Sequence, residues 1–134
     1  MPKDKADKLE VAQVPIKWRK DVADHDYASA QAYLSLKLAP ASVDKAVTRL
    51  RKAKLTTRRA NDILRAAGLT AAPLDDPGVL KDLLKVIEGK ELSPVLVLGG
   101  TERTDVADGF HRVSLVYRID PYGVVPLKLA DAPQ

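Results

Sequence analysis

The chain has 134 residues, of which 46% are hydrophobic and 30% are charged, and this suits one domain with a buried core. It contains no cysteine, which excludes disulfides, thiolate metal sites and cysteine nucleophiles. Its apolar runs are far shorter than the roughly 20 residues of a membrane-spanning helix. No apolar stretch follows the N-terminal lysines, so we expect no secretory signal, no membrane partner and a cytoplasmic location.

The net charge of +4 is concentrated in one basic segment. Residues 41–68 carry eight Lys and Arg against only two Asp, whereas residues 69–134 are acidic. Such a segment can meet nucleic acid, a phosphate ligand or an acidic protein, and it also occurs as a plain solvated helix face. The candidates for nucleic-acid contact are Arg49, Lys52, Arg58, Arg59 and Arg65.

The N-terminal part of the chain is predicted to be helical after a flexible tail. Residues 1–12 alternate charged residues with alanine, as in a loose terminus. A short strand or extended arm follows, in which the single tryptophan, Trp18, is expected to anchor the core. Apolar side chains then recur at helical spacing over residues 24–38, with Asp24 as the cap and Pro40 ending the run.

Two further helices are predicted within the basic segment. Ser42 is the expected cap of the first helix, and Thr56 or Thr57 the expected cap of the second. The second helix should end at Gly68, because helices commonly close on a left-handed glycine. Such a helix pair can present Arg and Asn side chains to duplex DNA, although a solvated face is the common alternative. Residues 13–70 are thus predicted to form a helical N-terminal extension.

The second half of the chain alternates helix and strand signals. Asp76-Pro77 is the strongest helix start, since a capping carboxylate precedes a first-turn proline. The helix that follows carries a broad apolar stripe made of Val79, Leu80, Leu83, Leu84 and Ile87, and Gly89 closes it. A buried strand over residues 94–98 and a returning strand over residues 104–107 are joined by a hairpin turn at Gly99-Gly100.

A helix over residues 110–119 and a last strand over residues 124–129 complete the pattern. Pro126 lacks an N–H donor, which predicts that the last strand lies at a sheet edge or is bent. The sum of these elements predicts one α+β domain over residues 13–134. In that domain the helical N-terminal half packs on a small mixed β-sheet.

The most informative stretch is the turn from Asp108-Gly109 into the helix that begins with Phe110, His111 and Arg112. The first turn of a helix presents unpaired N–H groups and a partial positive charge, and glycine permits a sharp turn and close approach. His111 and Arg112 add donors, and Arg can hold a phosphate through two parallel hydrogen bonds. This predicts a phosphate site. Asp108 can cap the helix, hold His111 or Arg112, or help to bind Mg²⁺, and a plain cap paired with Arg112 is the structural alternative.

The order of these motifs resembles the ParB/sulfiredoxin superfamily. The matching stretches are Leu92-Ser-Pro-Val-Leu-Val-Leu98, Asp105-Val-Ala-Asp-Gly-Phe-His-Arg-Val-Ser-Leu-Val-Tyr117 and Gly123-Val-Val-Pro-Leu-Lys-Leu129. They correspond to a strand, a Gly-x-His-Arg turn with its helix, and a returning strand. The resemblance covers residues 76–130, a ParB-like core, and implies a mixed sheet of ParB/sulfiredoxin type. The helices before residue 70 have no counterpart in it.

The resemblance also implies a nucleotide site at this turn. Members of the superfamily bind CTP, ATP or ADP, and Mg²⁺ can accompany such a ligand. Gly109, His111 and Arg112 fall on phosphate-contacting positions, and Asp108 matches a serine kinase of the superfamily. Phe110 departs from the reactive cysteine of sulfiredoxin and from the glutamate that supports CTP hydrolysis in ParB. It excludes sulfiredoxin chemistry, and it can stack on a base or simply pack.

Three functions stand as hypotheses on these grounds. The first is a ParB-like domain that binds nucleotide phosphates or nucleic acid without turnover, and Phe110 favours it. The second is a magnesium-dependent phosphotransferase or nuclease in which Asp108 is the magnesium partner or base. The third is a protein-interaction module that has lost the ligand. The sequence does not decide whether the chain forms a homodimer. Asp24, His25 and Asp26 are adjacent in sequence and are not expected to converge on a metal.

Overall fold

The computed structural model describes residues 15–100 and 104–133, so the predicted tail lies outside the described residues. Within these ranges the chain forms an α+β fold, as the sequence predicts. The helices are α1 (Asp24–Leu34), α2 (Pro40–Lys52), α3 (Ala60–Ala67), α4 (Pro77–Ile87) and α5 (Phe110–Ile119). The strands are β1 (Lys17–Trp18), β2 (Leu55–Arg59), β3 (Glu91–Leu92), β4 (Val95–Gly99), β5 (Asp105–Asp108) and β6 (Val124–Asp131). In this part of the chain no helix is long and apolar enough to span a membrane.

A mixed four-stranded sheet with the order β2-β6-β4-β5 organises the fold. β4 and β5 are antiparallel neighbours, as predicted, and residues 101–103 of their connection lie outside the described residues. β4 and β6 are parallel, and β2 is antiparallel to β6. β1 pairs in parallel with β3 as a separate small sheet. The two edges of the main sheet are therefore β2, from the N-terminal half, and β5, which leads into the Gly109 turn.

The predicted edge position of the last strand is wrong, because β6 lies between β2 and β4. The N–H of Ala60 donates to the carbonyl of Gly123 at 2.8 Å, and the alternation of an antiparallel ladder then turns the Pro126 nitrogen away from β2. On its other side, the ladder to β4 begins only at Leu127. A central strand tolerates Pro126 because neither neighbour requires its missing donor.

Helices cover both faces of the sheet, which explains why β4 is a continuous apolar run. Its side chains alternate between the faces, and a strand buried on both sides has no polar positions. Leu96 and Leu98 pack against α1 and α2, whereas Val95 and Val97 pack against α3 and α5. On the outer side of α5, α4 forms a third cluster around Leu115. Trp18 contacts two of these clusters, as expected of a core anchor.

The boundaries of the first two helices differ from the prediction. α1 ends at Leu34 rather than at residue 38, and Asp24 is its first helical residue because Ala23 occupies the cap position. Pro40 begins α2 rather than ending α1, and Ser42 lies inside that helix. Proline is favoured in the first helical turn, where a backbone N–H has no intrahelical partner. The predicted caps Asp24 and Ser42 therefore lie one and three residues after the observed caps, Ala23 and Ala39.

The two helices predicted in the basic segment are present as α2 and α3, but the predicted cap at Thr56 or Thr57 is wrong, because both threonines belong to β2. They pair with Leu127 and Pro126 of β6, far along the chain. Threonine is β-branched and fits a strand as readily as it caps a helix. The ladder to β6 decides between these uses, so the N-terminal extension contributes a strand to the sheet.

Two helix ends are confirmed, whereas the apolar stripe of α4 is buried only in part. α3 closes on Gly68 at φ +67°, and Asp76 accepts hydrogen bonds from the first turn of α4, at 2.9 Å from the N–H of Gly78. Val79 is fully buried, but three residues of the predicted stripe are exposed, namely Leu80, Leu84 and Ile87. This follows because α5 and β3 cover α4 on one side only.

Candidate phosphate site at the start of α5

The Gly109 turn joins β5 to α5 with a backbone that requires glycine. Its φ angle is +111°, a left-handed value that L side chains rarely adopt. A Cβ atom at this position would lie 2.8 Å from Val95 Cγ2 and 2.9 Å from Arg112 Nη2. The predicted sharp turn at Asp108-Gly109 and the predicted bounds of the helix are confirmed.

The first turn of α5 has open backbone donors. Its first intrahelical hydrogen bond runs from the N–H of Val113 to the carbonyl of Gly109 at 3.0 Å. The N–H groups of Phe110, His111 and Arg112 therefore have no partner inside the helix. No side chain caps the helix, so Asp108 does not take the role of a cap. The positive end of α5 is left available to an anion.

Arg112 is held by two carboxylates rather than presented to solvent. Its Nη2 atom lies 2.8 Å from Asp108 Oδ2 and 3.4 Å from Asp26 Oδ2. The side chain of Arg112 is 15% exposed and that of Asp26 only 4%. Arg112 Nε is buried without a hydrogen-bond partner among the described residues. Arg112 thus neutralises the buried carboxylate of Asp26 and the half-buried carboxylate of Asp108. The pairing with Asp108 is the structural alternative that the sequence left open.

Asp108 lies half-buried at the floor of the site. Burial raises the pKa of its carboxyl group above the usual range, and nearby Asp26 raises it further. The hydrogen bond and the charge of Arg112 act in the opposite direction and lower this pKa. A buried carboxyl group with a raised pKa in a cleft is a candidate acid or base.

His111 lies where the first turns of α4 and α5 meet. Its Nε2 atom is 3.3 Å from Asp76 Oδ2, and this carboxylate is also the one that caps α4. Its ring covers Gly78, where a Cβ atom would come within 2.6 Å of Nδ1. The ring of Phe110 lies 5.6 Å away, centroid to centroid. His111 is therefore oriented by α4 and not by Asp108.

Residues 108–112 all line one cleft of about 310 Å³. α1 adds His25 to its wall, and α4 adds Gly78, Lys81, Asp82 and Lys85. Lys81 and Lys85 were not among the predicted site residues, although their i, i+4 spacing placed them on one face of the predicted helix. Only the packing of α4 against α5 shows that this face meets the Gly109 turn.

The cleft contains charges of both signs. Lys81, Lys85 and Arg112 bring three positive charges, opposed by the carboxylates of Asp82 and Asp108. Burial raises the pKa of Asp82, while Arg112, Lys85, His111 and Lys81 lower it, in decreasing order of effect. The charges of Lys81 and Lys85 and the open N–H groups together favour an anion at this place.

The basic residues predicted for nucleic acid lie elsewhere. Arg49, Lys52, Arg58, Arg59 and Arg65 are all exposed, but none of them lines this cleft. β2, which carries Arg58 and Arg59, is the sheet edge opposite β5. Arg65 is 3.2 Å from Asp62 and lines a different groove. The structure therefore does not bring the basic segment beside the Gly109 turn.

Among residues 15–100 and 104–133, no cluster of three or more His, Asp or Glu side chains is arranged to hold a metal ion. His25 instead lies 3.2 Å from Asp26. Comparison of the chain with family models, with curated proteins and with solved structures finds no match. The resemblance to the ParB/sulfiredoxin superfamily stays a prediction drawn from the sequence.

Proposed function

We propose that the protein is a ParB-like module that binds a nucleotide by its phosphates in the cleft at the start of α5. One observation carries this proposal: the uncapped first turn of α5 shares its cleft with Lys81 and Lys85. Open N–H groups beside lysine charges are a common phosphate site. A volume of about 310 Å³ is at the small end of ligand pockets, and it suits a phosphate chain better than a whole nucleotide.

Each residue of the site has a distinct task in this proposal. The N–H groups of the first turn and the two lysines hold phosphate oxygens, and His111 adds a donor. Gly109 lets the phosphates approach the backbone closely. Phe110, half-buried at the rim, packs against the base or the ribose. Arg112 acts indirectly as a positioning residue, because it neutralises Asp108 and Asp26.

The two carboxylates of the cleft bear on the form of the ligand. Asp82 and Asp108 repel a bare polyphosphate, but they tolerate one that carries its own Mg²⁺. Mg²⁺ is usually held by substrate phosphates, water and one or two carboxylates rather than by a complete protein cage. Asp82 and Asp108 both line the cleft and can supply the one or two carboxylates of that manner of binding. We therefore expect CTP, ATP or ADP to bind more tightly with Mg²⁺.

An alternative function, a magnesium-dependent phosphotransferase or nuclease, is favoured by one observation. The raised pKa of Asp108 suits a general base, whose pKa should approach the working pH. The Arg112 contact works against this role because it stabilises the ionised carboxylate. Magnesium-dependent turnover that is lost in Asp108→Asn, with binding retained, would replace the binding module by this enzyme.

Calorimetric titration tests the proposal with CTP, ATP, ADP and inorganic tripolyphosphate, each with and without Mg²⁺. In the double variant Lys81→Gln/Lys85→Gln we expect binding about tenfold weaker, which corresponds to about 1.4 kcal/mol. The matched control is Lys45→Gln/Lys52→Gln, which removes two exposed lysines from α2, outside the cleft. Arg112→Ala is a poor test, because it leaves buried carboxylates unpaired.

The outcomes separate the three hypotheses. Loss of binding in the cleft variant alone supports the phosphate site, and the preferred base identifies the nucleotide. An equal loss of affinity in the cleft variant and in its control would show that only the net charge of the protein matters, and would contradict the proposal. No heat with any of these ligands at millimolar concentration would contradict it as well, and would favour a protein-interaction module.

A further inference from the structure

A second and larger groove, of about 540 Å³, lies at the opposite end of α5. It shares no lining residue with the cleft at the Gly109 turn. A ten-residue helix is about 15 Å long, which sets the approximate separation of the two places. The groove is framed by α3, by the last turn of α5 and by the turn that follows it. Its polar and aromatic walls come from Asn61, Arg65, Thr70, Tyr117, Arg118 and Tyr122.

Hydrogen bonds to backbone atoms fix the walls of this groove. The N–H of Asn61 donates to the carbonyl of Pro121 at 2.9 Å, which ties α3 to the turn after α5. The guanidinium of Arg118 donates to the carbonyls of Ala71 and Ala72 at 2.8 and 3.0 Å. These bonds join the three walls, so the groove is formed before any ligand arrives.

Aromatic rings and cations occur together in the groove. Tyr122 is 64% exposed, and Tyr117 is half-buried with the guanidinium carbon of Arg118 at 5.6 Å from its ring centroid. Arg65 reaches the groove from α3 and holds only an exposed pair with Asp62, which is easily exchanged. No carboxylate is among the described residues that line the groove. An exposed ring and two arginines in one groove suit a planar ligand that carries a negative charge.

Asn61 adds an unmet hydrogen-bonding group to the groove wall. Its Oδ1 atom is buried and has no hydrogen-bond partner among the described residues. A buried acceptor without a partner is unfavourable, so Asn61 gains a hydrogen bond if its side chain turns toward an N–H donor of the ligand, such as the amino or imino group of a nucleobase.

We propose that this groove binds a nucleotide unit, with its base on Tyr122 and Tyr117 and its phosphate between Arg65 and Arg118. The unit is either a free nucleotide or one residue of a single-stranded nucleic acid. Duplex DNA does not fit, because its bases are stacked on each other and cannot offer a ring face to tyrosine. Of the residues that the sequence singled out for nucleic acid, this assigns a role to Arg65.

Fluorescence anisotropy of a short labelled oligothymidylate, with thymidine monophosphate as competitor, tests the proposal. Removing the stacking ring in Tyr122→Ala should weaken binding about tenfold, whereas Tyr122→Phe should retain it. Arg65→Gln should weaken binding and reduce the salt dependence by about one phosphate contact. Lys45→Gln removes the same charge from an exposed helix position outside the groove and should leave affinity within about twofold. Far-UV circular dichroism of each variant verifies the fold.

The outcomes separate this groove from the cleft. Competition by the monophosphate would identify a free nucleotide as the ligand, and binding of the oligomer alone would identify a strand. Oligomer binding that is lost only in Lys81→Gln/Lys85→Gln would overturn the groove proposal and leave the cleft proposal intact. Unchanged affinity in Tyr122→Ala, or no saturable binding of either probe, would overturn it too. Tripolyphosphate has no ring, so its binding tests the cleft independently.

Discussion

At the scale of single residues, Arg112 was predicted to contact a phosphate, but in the structure it pairs with two carboxylates of the protein itself. Its partner Asp108 is four residues away and visible in the sequence, but Asp26 comes from α1, 86 residues away. Both carboxylates need the guanidinium because they are largely buried. Arg112 therefore stabilises the floor of the cleft whether or not a phosphate is bound.

Arg112→Met should lower the free energy of unfolding by about 3 kcal/mol, because it leaves the buried carboxylate of Asp26 and the half-buried one of Asp108 without their counter-charge. Urea denaturation at neutral pH measures this loss. Adding Asp26→Asn and Asp108→Asn to the same variant should recover most of it, since no unpaired charge then remains. A loss below about 1 kcal/mol would mean that solvent already screens these groups as at a surface pair.

Asp82 gives a prediction on pH, because burial raises the pKa of its carboxyl group in the folded protein. The folded state then holds the proton more tightly than the unfolded state, whose pKa stays near 3.8. The protonated carboxyl group of Asp82 thus contributes to the free energy of unfolding. This contribution is fully present below the unfolded-state pKa and is lost as the pH rises through the folded-state pKa. Each unit between the two pKa values corresponds to about 1.4 kcal/mol.

Asp82→Asn should therefore be more stable than the wild type at neutral pH. The difference between the two proteins should vanish as the pH falls toward 3.8. Thermal unfolding across this pH range measures the difference. A variant less stable than the wild type at neutral pH would show instead that attraction by Arg112, Lys85, His111 and Lys81 outweighs the cost of burial.

At the scale of elements, the turn between β5 and α5 depends on glycine for two separate reasons. Gly68 and Gly109 both have a positive φ, but a Cβ atom at Gly68 would meet nothing within 4 Å. At Gly109 it would meet Val95 and Arg112 at less than 3 Å. The two glycines form a matched pair that separates backbone strain from steric conflict.

Gly68→Ala should cost about 1 kcal/mol of stability, the penalty of a left-handed alanine. Gly109→Ala should cost more, about 3 kcal/mol, because Val95 or Arg112 must also move. It should also weaken nucleotide binding, whereas Gly68→Ala should not. Urea denaturation of both variants measures the costs, and equal values would contradict a role for the close approach to Val95.

Across the whole molecule, the order of strands joins the two halves of the chain. β2 from the N-terminal half pairs with β6 from the C-terminal half, and α1 and α2 cover one face of β4. α4 adds an outer layer on α5, which brings Lys81 and Lys85 to the Gly109 turn. The segment before residue 70 thus supplies one edge strand and helices on both faces of the sheet, since α3 packs on the face opposite α1 and α2.

The described residues should therefore unfold as one cooperative unit. Trp18 contacts the core beneath α5 and the cluster under α4, so its fluorescence reports on both. We expect the urea transitions followed by tryptophan fluorescence and by far-UV circular dichroism to coincide. A fluorescence transition at lower urea would indicate that β1, β3 and α4 separate from the sheet before it unfolds.

The sequence by itself determined the features that depend on a few neighbouring residues. Asp76 as a cap, Gly68 as a helix end, the bounds of α5 and the turn at Gly109 all follow from local backbone chemistry. The apolar run of β4 and its antiparallel pairing with β5 follow from side-chain pattern. Residues 108–112 line one cleft, as the sequence predicts, because they form one short turn and the first helical turn after it.

Only the tertiary structure decided the features that join distant parts of the chain. Thr57 does not cap a helix, because it pairs with β6. Pro126 is tolerated in a central strand, because neither neighbouring strand needs a hydrogen bond from its nitrogen. Asp26 contacts Arg112 only because α1 packs on the sheet. Lys81 and Lys85 line the cleft only because α4 packs on α5. Local propensities differ by about 1 kcal/mol or less per residue, so packing and strand pairing outweigh them wherever the two disagree.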